Sequence, residues 1–206
     1  MKALRIAGLM LVCGSAMAIP AMAEPAQRGR GTGAPSCNTL SCDVQGDWER
    51  TKNLLLGLVN AMPDDKWTFK PTPAQQTFGY IAQHLASDNY FFCERVSGQK
   101  PTRAVEDTAT APDAKAAWPK DKLVMQLKAS YAWCQQVTAS LNDAKLLEEI
   151  EIQGRDQSGN PVTRKVSRVT GAFGHVRDQA DHYSQIANYM RANGWTPPSA
   201  IRPPGR

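Results

Sequence analysis

The sequence predicts an all-α fold, an antiparallel four-helix bundle with one small β-hairpin inserted before the last helix. Three observations predict it. Four segments of helical length carry apolar residues at helical spacing. Breaks rich in Pro, Gly and Asp separate the first two of them and close the last. One late stretch, "LEEIEIQG" followed by "NPVTRKVSRV", alternates apolar and polar residues around a Gly-bearing turn.

The first helix is expected from about Val44 to Met62, with Trp48, Leu54, Leu55, Leu58 and Val59 recurring at helical spacing and Asp43 placed to cap it. "MPDDKW" ends it. The second covers about Ala74 to Val96, and its inward stripe runs through Phe78, Ile81, Ala82, Leu85, Asn89 and Phe92. Residues 97–119 form a long connection with little apolar content. The third helix spans about Lys120 to Asn142, with Leu123, Leu127, Tyr131, Cys134 and Val137 facing inward. The hairpin follows, turning at "RDQSGN". The last helix runs from about Val169 to Asn193, with Gly194 as its stop and Pro197 and Pro198 just beyond. Helices of this length, amphipathic and joined in series, pack most naturally as a bundle.

The flanks have a different character. Lys2 and Arg5, an apolar run and "AMAEP" describe a secretory signal peptide over residues 1–23. Val12 before Cys13 does not suit a lipoprotein cleavage site. Residues 24–42, rich in Gly, Pro and Arg at their start, are expected to be a flexible leader containing Cys37 and Cys42. The bundle occupies 43–198, and 199–206 form an extended tail. The mature protein is expected to be periplasmic or secreted, with no membrane association after cleavage.

Net charge is modest for a basic protein. Removing Lys2 and Arg5 takes the formal charge from +5 to +3. Lys and Arg are scattered among Asp and Glu rather than gathered on one face, which argues against a nucleic-acid partner. Four cysteines remain after Cys13 is removed, an even number suited to an oxidising compartment. Cys37 and Cys42 are spaced for a small closed loop, a link that adds only about 2 kcal/mol. Cys93 and Cys134, each on a predicted helix, are then candidates for an interhelical bridge.

The last helix divides into three sectors on a helical wheel rather than the usual two. Ala172, Phe173, Val176, Ala180, Tyr183, Ile186, Ala187 and Met190 form an apolar face. Arg177, Asp181, Asn188 and Arg191 form a charged one. His175, Asp178, His182, Gln185 and Tyr189 occupy the remaining flank. Asp178 and His182 lie one turn apart and can reach one ion together. His175 and His182 lie two turns apart, about 10 Å along the axis, too far for donors that must each approach within about 2 Å of one metal. His175 is therefore expected to face solvent or to support a ligand rather than to bind. A third ligand must come from elsewhere, and His84, beside the inward stripe of the second helix, is the remaining histidine. Two imidazoles and one carboxylate suit Zn²⁺, Ni²⁺ or Fe²⁺ and leave positions open for water or substrate. A His–Asp pair one turn apart is also common as a simple surface hydrogen bond. Tyr80, Asp88, Tyr90 and Glu94 are candidates to line a pocket, although packing and solvation account for them equally well.

Two stretches carry a resemblance. "FGYIAQHLASDNYFF" followed by "HVRDQADHYSQIANYMRANGWTPP" resembles the DinB/YfiT-like superfamily over roughly Asp43 to Pro198. The resemblance implies a four-helix bundle with a metal site between the second and last helices. On it, His84 takes the place of the first ligand and His182 that of the last. Asp178 stands where a histidine is usual, a position at which the related mycothiol-dependent maleylpyruvate isomerases carry a carboxylate. Ser184 replaces a usual glycine. The resemblance implies thiol transferases and isomerases that use low-molecular-weight thiols, and the metal site adds the expectation of a metal-dependent hydrolase or transferase acting on a small molecule. Its alternative is a non-catalytic binding protein whose site is empty or structural. Bundles of this kind also make a homodimer a natural expectation.

Overall fold

A computed structural model describes residues 37–201. The expected signal peptide, the first part of the leader and the last five residues of the tail lie outside the described residues. Four long helices dominate: α1 (Leu40–Ala61), α2 (Phe78–Ser97), α5 (Lys120–Thr138) and α7 (Val169–Ala192). Three short helices, α3 (Val105–Ala109), α4 (Pro112–Lys115) and α6 (Asp143–Leu147), lie between them. Strands β1 (Glu149–Arg155) and β2 (Pro161–Ser167) pair antiparallel, with Ile150 opposite Val166 and Ile152 opposite Arg164.

Helix ends follow local chemistry. Helix α1 begins four residues before its expected start, because the Thr39 side chain accepts from the Cys42 amide and caps it. Asp43 lies in the first turn instead of at the cap, and Cys42 is helical instead of belonging to a flexible leader. Thr77 caps α2 by accepting from the Tyr80 amide at 3.1 Å. Gly194 follows α7 with φ +77°, the left-handed geometry expected of its stop.

Each long helix packs against two others, in the ring α1–α5–α2–α7. The antiparallel neighbours are α1 with α5 and α2 with α7. Asn89 bonds Ser130 and Cys93 is bridged to Cys134, so α2 and α5 run in the same direction. The long connection between them makes this possible. Its two short helices are held by polar contacts rather than by an apolar stripe: buried Lys115 reaches Asp107 at 3.0 Å, and Arg103 meets the same carboxylate at 2.7 Å. Of the three possible pairings the structure has Cys37–Cys42 and Cys93–Cys134, the candidate loop and the candidate interhelical bridge. Among the described residues no helix is long and apolar enough to cross a membrane.

The apolar core has two parts. One gathers Leu55, Leu58, Phe78, Leu85, Leu127 and Ile186; the other gathers Trp48, Cys93, Cys134, Val169 and Ala172. Between them, by position along the helices, lies a buried polar layer of Asn89, Ser130, His175 and Gln179. Helix α7 is rotated relative to the expected wheel. Phe173 is 63 % exposed and Ala180 is also exposed, while His175 and Gln179 are fully buried. Polar side chains can turn inward here because partners await them, and a buried polar group costs little once it is hydrogen-bonded.

Candidate metal centre

Helices α2 and α7 approach closely because α7 carries glycine where they touch. A Cβ on Gly174 would meet the Phe92 ring at 2.8 Å, and one on Gly171 would meet Val96 at 3.0 Å. One turn beyond Gly174 the two helices present mirrored motifs. On α2, His84 precedes Asp88 by one turn; on α7, Asp178 precedes His182 by one turn. Because the helices are antiparallel, histidine falls opposite histidine and aspartate opposite aspartate. The His84 and His182 rings meet edge to face with centroids 4.9 Å apart.

One donor atom from each of His84, Asp88, Asp178 and His182 can be chosen so that all lie within 4.8 Å of one another. His84 Nε2 is 3.1 Å from Asp88 Oδ2. His182 Nε2 is 3.9 Å from the same oxygen and 3.7 Å from Asp178 Oδ1. Atoms bound about 2.1 Å from one ion are separated by about 3 to 4 Å, so little rearrangement would close the set. The structure thus brings together the three residues expected from sequence and adds Asp88, which the sequence suggested only as a pocket residue. The missed signal was the mirror symmetry of "HLASD" and "DQADH" on antiparallel helices.

Supporting contacts fix the donors. Gln185 Nε2 donates to the Tyr189 hydroxyl at 3.4 Å, and that hydroxyl donates to the Gln76 carbonyl at 2.9 Å. Gln185 Oε1 is left to accept from His182 Nδ1–H at 3.1 Å, which turns the free Nε2 lone pair toward the acids. Asp178 Oδ2 accepts from Gln179 Nε2 at 3.4 Å, and Gln179 Oε1 accepts from the Tyr131 hydroxyl at 2.7 Å. Three residues of the sequence's third sector, His182, Gln185 and Tyr189, therefore form one chain of contacts.

The electrostatics fit a cation. Among the described residues neither Asp88 nor Asp178 pairs with Lys or Arg. Asp88 Oδ2 is buried and lacks a hydrogen-bond partner. Burial, and then the neighbouring Asp178 carboxylate, push the Asp88 carboxyl up to about 7. Burial and the facing His182 lower His84, against an opposing pull from Asp178. Two acids held together with lone pairs converging are what a divalent ion would neutralise. The His84 side chain is 40 % exposed, so solvent reaches the cluster from the α2 side.

His175 departs from expectation. It neither faces solvent nor touches the cluster. Its ring stacks on Trp48 at 4.1 Å and meets the edge of Phe92. Asn89 Nδ2 donates to Ser130, so Asn89 Oδ1 accepts from His175 Nε2–H at 2.8 Å. Burial pushes His175 down to about 3, which keeps it neutral. Of the other suggested pocket residues, Tyr80 lies near His84 with ring centroids 6.1 Å apart, whereas Tyr90 packs against Trp133 and lines a separate cavity beside Asp107 and Gln126.

A four-helix bundle with paired His and Asp side chains converging between its second and last long helices defines a helical-bundle protein with a candidate metal centre. The model of the DinB superfamily matches residues 47–186, and the chain belongs to that family. No curated protein matches the chain. Among solved structures it is similar to a DinB-like protein from Bacillus subtilis, with 14% identity, 75% of this chain and 94% of that one covered, and a TM-score of 0.54. A DinB-like protein from Bacillus cereus gives 16% identity, 75% and 93% coverage, and a TM-score of 0.55. A variant of a mycothiol-dependent maleylpyruvate isomerase shares the fold at 11% identity and a TM-score of 0.52, with 71% of this chain and 60% of that one covered. At these identities the likeness is one of fold.

Proposed function

We propose that this DinB-superfamily member is an exported, divalent-metal-dependent hydrolase or transferase acting on a small molecule. The observation that carries the reading is the convergence of His84, Asp88, Asp178 and His182 with, among the described residues, no Lys or Arg paired to the two acids. These four residues would hold the ion, which supplies Lewis acidity to a bound substrate, water or thiol. Gln185 and Gln179 orient His182 and Asp178. With two imidazoles and two carboxylates, Zn²⁺, Ni²⁺ and Fe²⁺ all suit the donor set. The solvent-facing edge at His84 is where a substrate would enter. Export rests on the leading sequence and on two cystines, and is tested by finding the mature chain outside the cytoplasm.

Asp88 also supports a second reading. Four protein donors can complete a tetrahedral ion and leave no position for chemistry, as in structural zinc sites. Elemental analysis of protein purified without an affinity tag is expected to give one metal per chain, lost in His182→Ala. Turnover abolished by a chelator and restored by the ion supports the enzyme. Retained metal with a raised melting temperature and no turnover across esters, amides and thiol acceptors supports the structural reading. Absence of stoichiometric metal, together with a melting curve unmoved by added Zn²⁺ or Ni²⁺, contradicts both.

A further inference from the structure

Helix α2 carries a second polar feature on its other side. Asp88 and Tyr90 lie two positions apart, about 200° around the helix, so Tyr90 faces away from the candidate metal centre. It lines a cavity of about 300 Å³ enclosed by α2, α3 and α5, and no residue of the metal cluster lines it. The deepest residues are buried and polar: Tyr90 and Asp107 are each 6 % exposed and Gln126 is 9 % exposed. Trp118, Met125 and Ala129 supply apolar wall. Glu106 and Lys122 complete the rim, and the Lys122 ammonium lies 3.8 Å from the Trp118 ring centroid.

Among the described residues each charge that lines the cavity is already paired. Arg103 and Lys115 hold Asp107, and Lys122 holds Glu106. Burial would raise the Asp107 carboxyl, but bonds from Arg103 and Lys115 outweigh it and hold it below the usual carboxylate range. Asp107 is therefore ionised and can only accept. Gln126 Nε2 donates to it, so the Gln126 amide cannot flip without setting oxygen against oxygen. Gln126 Oε1 is thereby fixed as a buried acceptor, and it has no donor. The Tyr90 hydroxyl makes no hydrogen bond either; burial and then the Asp107 carboxylate raise it, against an opposing pull from Arg103, so it keeps its proton. An unpaired buried carbonyl beside an unpaired hydroxyl leaves the polar end of this cavity short of a donor.

We propose that this cavity binds a small uncharged aromatic molecule that carries an N–H or O–H donor. The donor meets the Tyr90 hydroxyl and Gln126 Oε1, and the ring packs against Trp118, Met125 and Ala129. Size sets the first limit. A cavity of about 150 Å³ holds benzene, so 300 Å³ takes a substituted ring or two fused rings. The walls set the second, since aromatic rings and a thioether pack well on a flat aromatic body. Charge sets the third. An ion would have to break the Arg103–Asp107 or Glu106–Lys122 pair, whereas a neutral molecule leaves both intact. Binding here does not depend on the metal reading, because the two sites lie on opposite sides of α2.

The test titrates indole into the mature chain and follows nitrogen-edited NMR. Saturable shifts are expected at the Trp118 ring N–H and the Gln126 side-chain amide. 1-Methylindole keeps the shape and lacks the donor, and should bind about tenfold more weakly. Tyr90→Phe removes only the hydroxyl and should weaken indole about fivefold. Ala129→Trp fills the cavity from an exposed position on α5, and should abolish the saturable shifts while the melting temperature is kept. Benzoate and benzyltrimethylammonium carry the same ring with a charge of either sign, and should give no saturable shift at these positions. Three results overturn the inference: no saturable shift with indole, equal binding of 1-methylindole, or indole bound as tightly by Ala129→Trp as by the wild type. Tighter binding of either charged probe also overturns it, by assigning the cavity to an ion.

Discussion

Two histidines on one flank of α7 have opposite fates. His175 is sealed between Trp48 and Phe92, bonded to Asn89 and held neutral. His182, two turns later, faces Asp178, Asp88 and His84 at the edge of solvent. Residue type and position on the helix are nearly the same. What differs is the opposite wall: aromatic rings and an amide beside the first, acids and a second imidazole beside the other. The first histidine is a packing element that happens to be polar, and the second belongs to a charged constellation. Neighbours across the gap between helices decide the chemistry, and the helix alone does not.

Exchanging the two truncations is the strongest way to break this comparison. His175→Ala removes a fully buried ring and strands Asn89, so it should lower stability by about 3 kcal/mol while bound metal per folded chain is kept. His182→Ala should do the reverse, with metal lost and the melting curve of the metal-free protein little changed. Denaturant melts combined with elemental analysis check both. Equal loss of metal in the two variants would erase the distinction.

A pH series sharpens it further. The folded pKa of His175 is about 3, below the usual histidine value, so its contribution is full above about pH 6.5 and is lost as pH falls toward 3. By pH 5 the loss is about 2 kcal/mol. Asp88 acts with the opposite sign. Its folded pKa is raised to about 7, so the metal-free protein gains stability as pH falls through 7 toward the ordinary carboxylate range. In the metal-free wild type the two offset each other between pH 7 and 5. Asp88→Asn removes one side, and its melting temperature should fall over that window while the wild type changes less.

Gly174→Ala probes the spacing between the two regions. The added methyl group meets the Phe92 ring, so either the ring or α7 must give, at a cost of about 1 kcal/mol. Metal affinity should weaken at the same time, because the donors on α2 and α7 are held apart by the same contact. A stable variant with unchanged affinity would show that the cluster does not depend on this approach.

The sequence made the long elements legible because each carries its own signal. The core of α5, from Leu123 to Val137, repeats with the helix, and Gly194 marks the end of α7. The short helices α3 and α4 left no periodic trace, since the Asp107–Lys115–Arg103 contacts hold them and ion pairs have no period. His84, Asp178 and His182 could be grouped from one-turn spacing and family resemblance. Asp88 became visible only with helix direction, which converts two separate pairs into a facing set. The burial of His175 and the exposure of Phe173 could not be read from α7 itself, because hydropathy assumes that polar side chains lack partners inside. Here Asn89 and Tyr131 supply them.

Diffraction at the absorption edge of a soaked Ni²⁺ or Zn²⁺ ion, on crystals of untagged protein, would locate the ion. One anomalous peak is expected between α2 and α7, about 2.0 to 2.2 Å from donors of His84, Asp178 and His182, with Asp88 at the same ion or bonded to its water. A peak bound by other residues, with those three donors unliganded, would mean that the His–Asp cluster is not a metal centre.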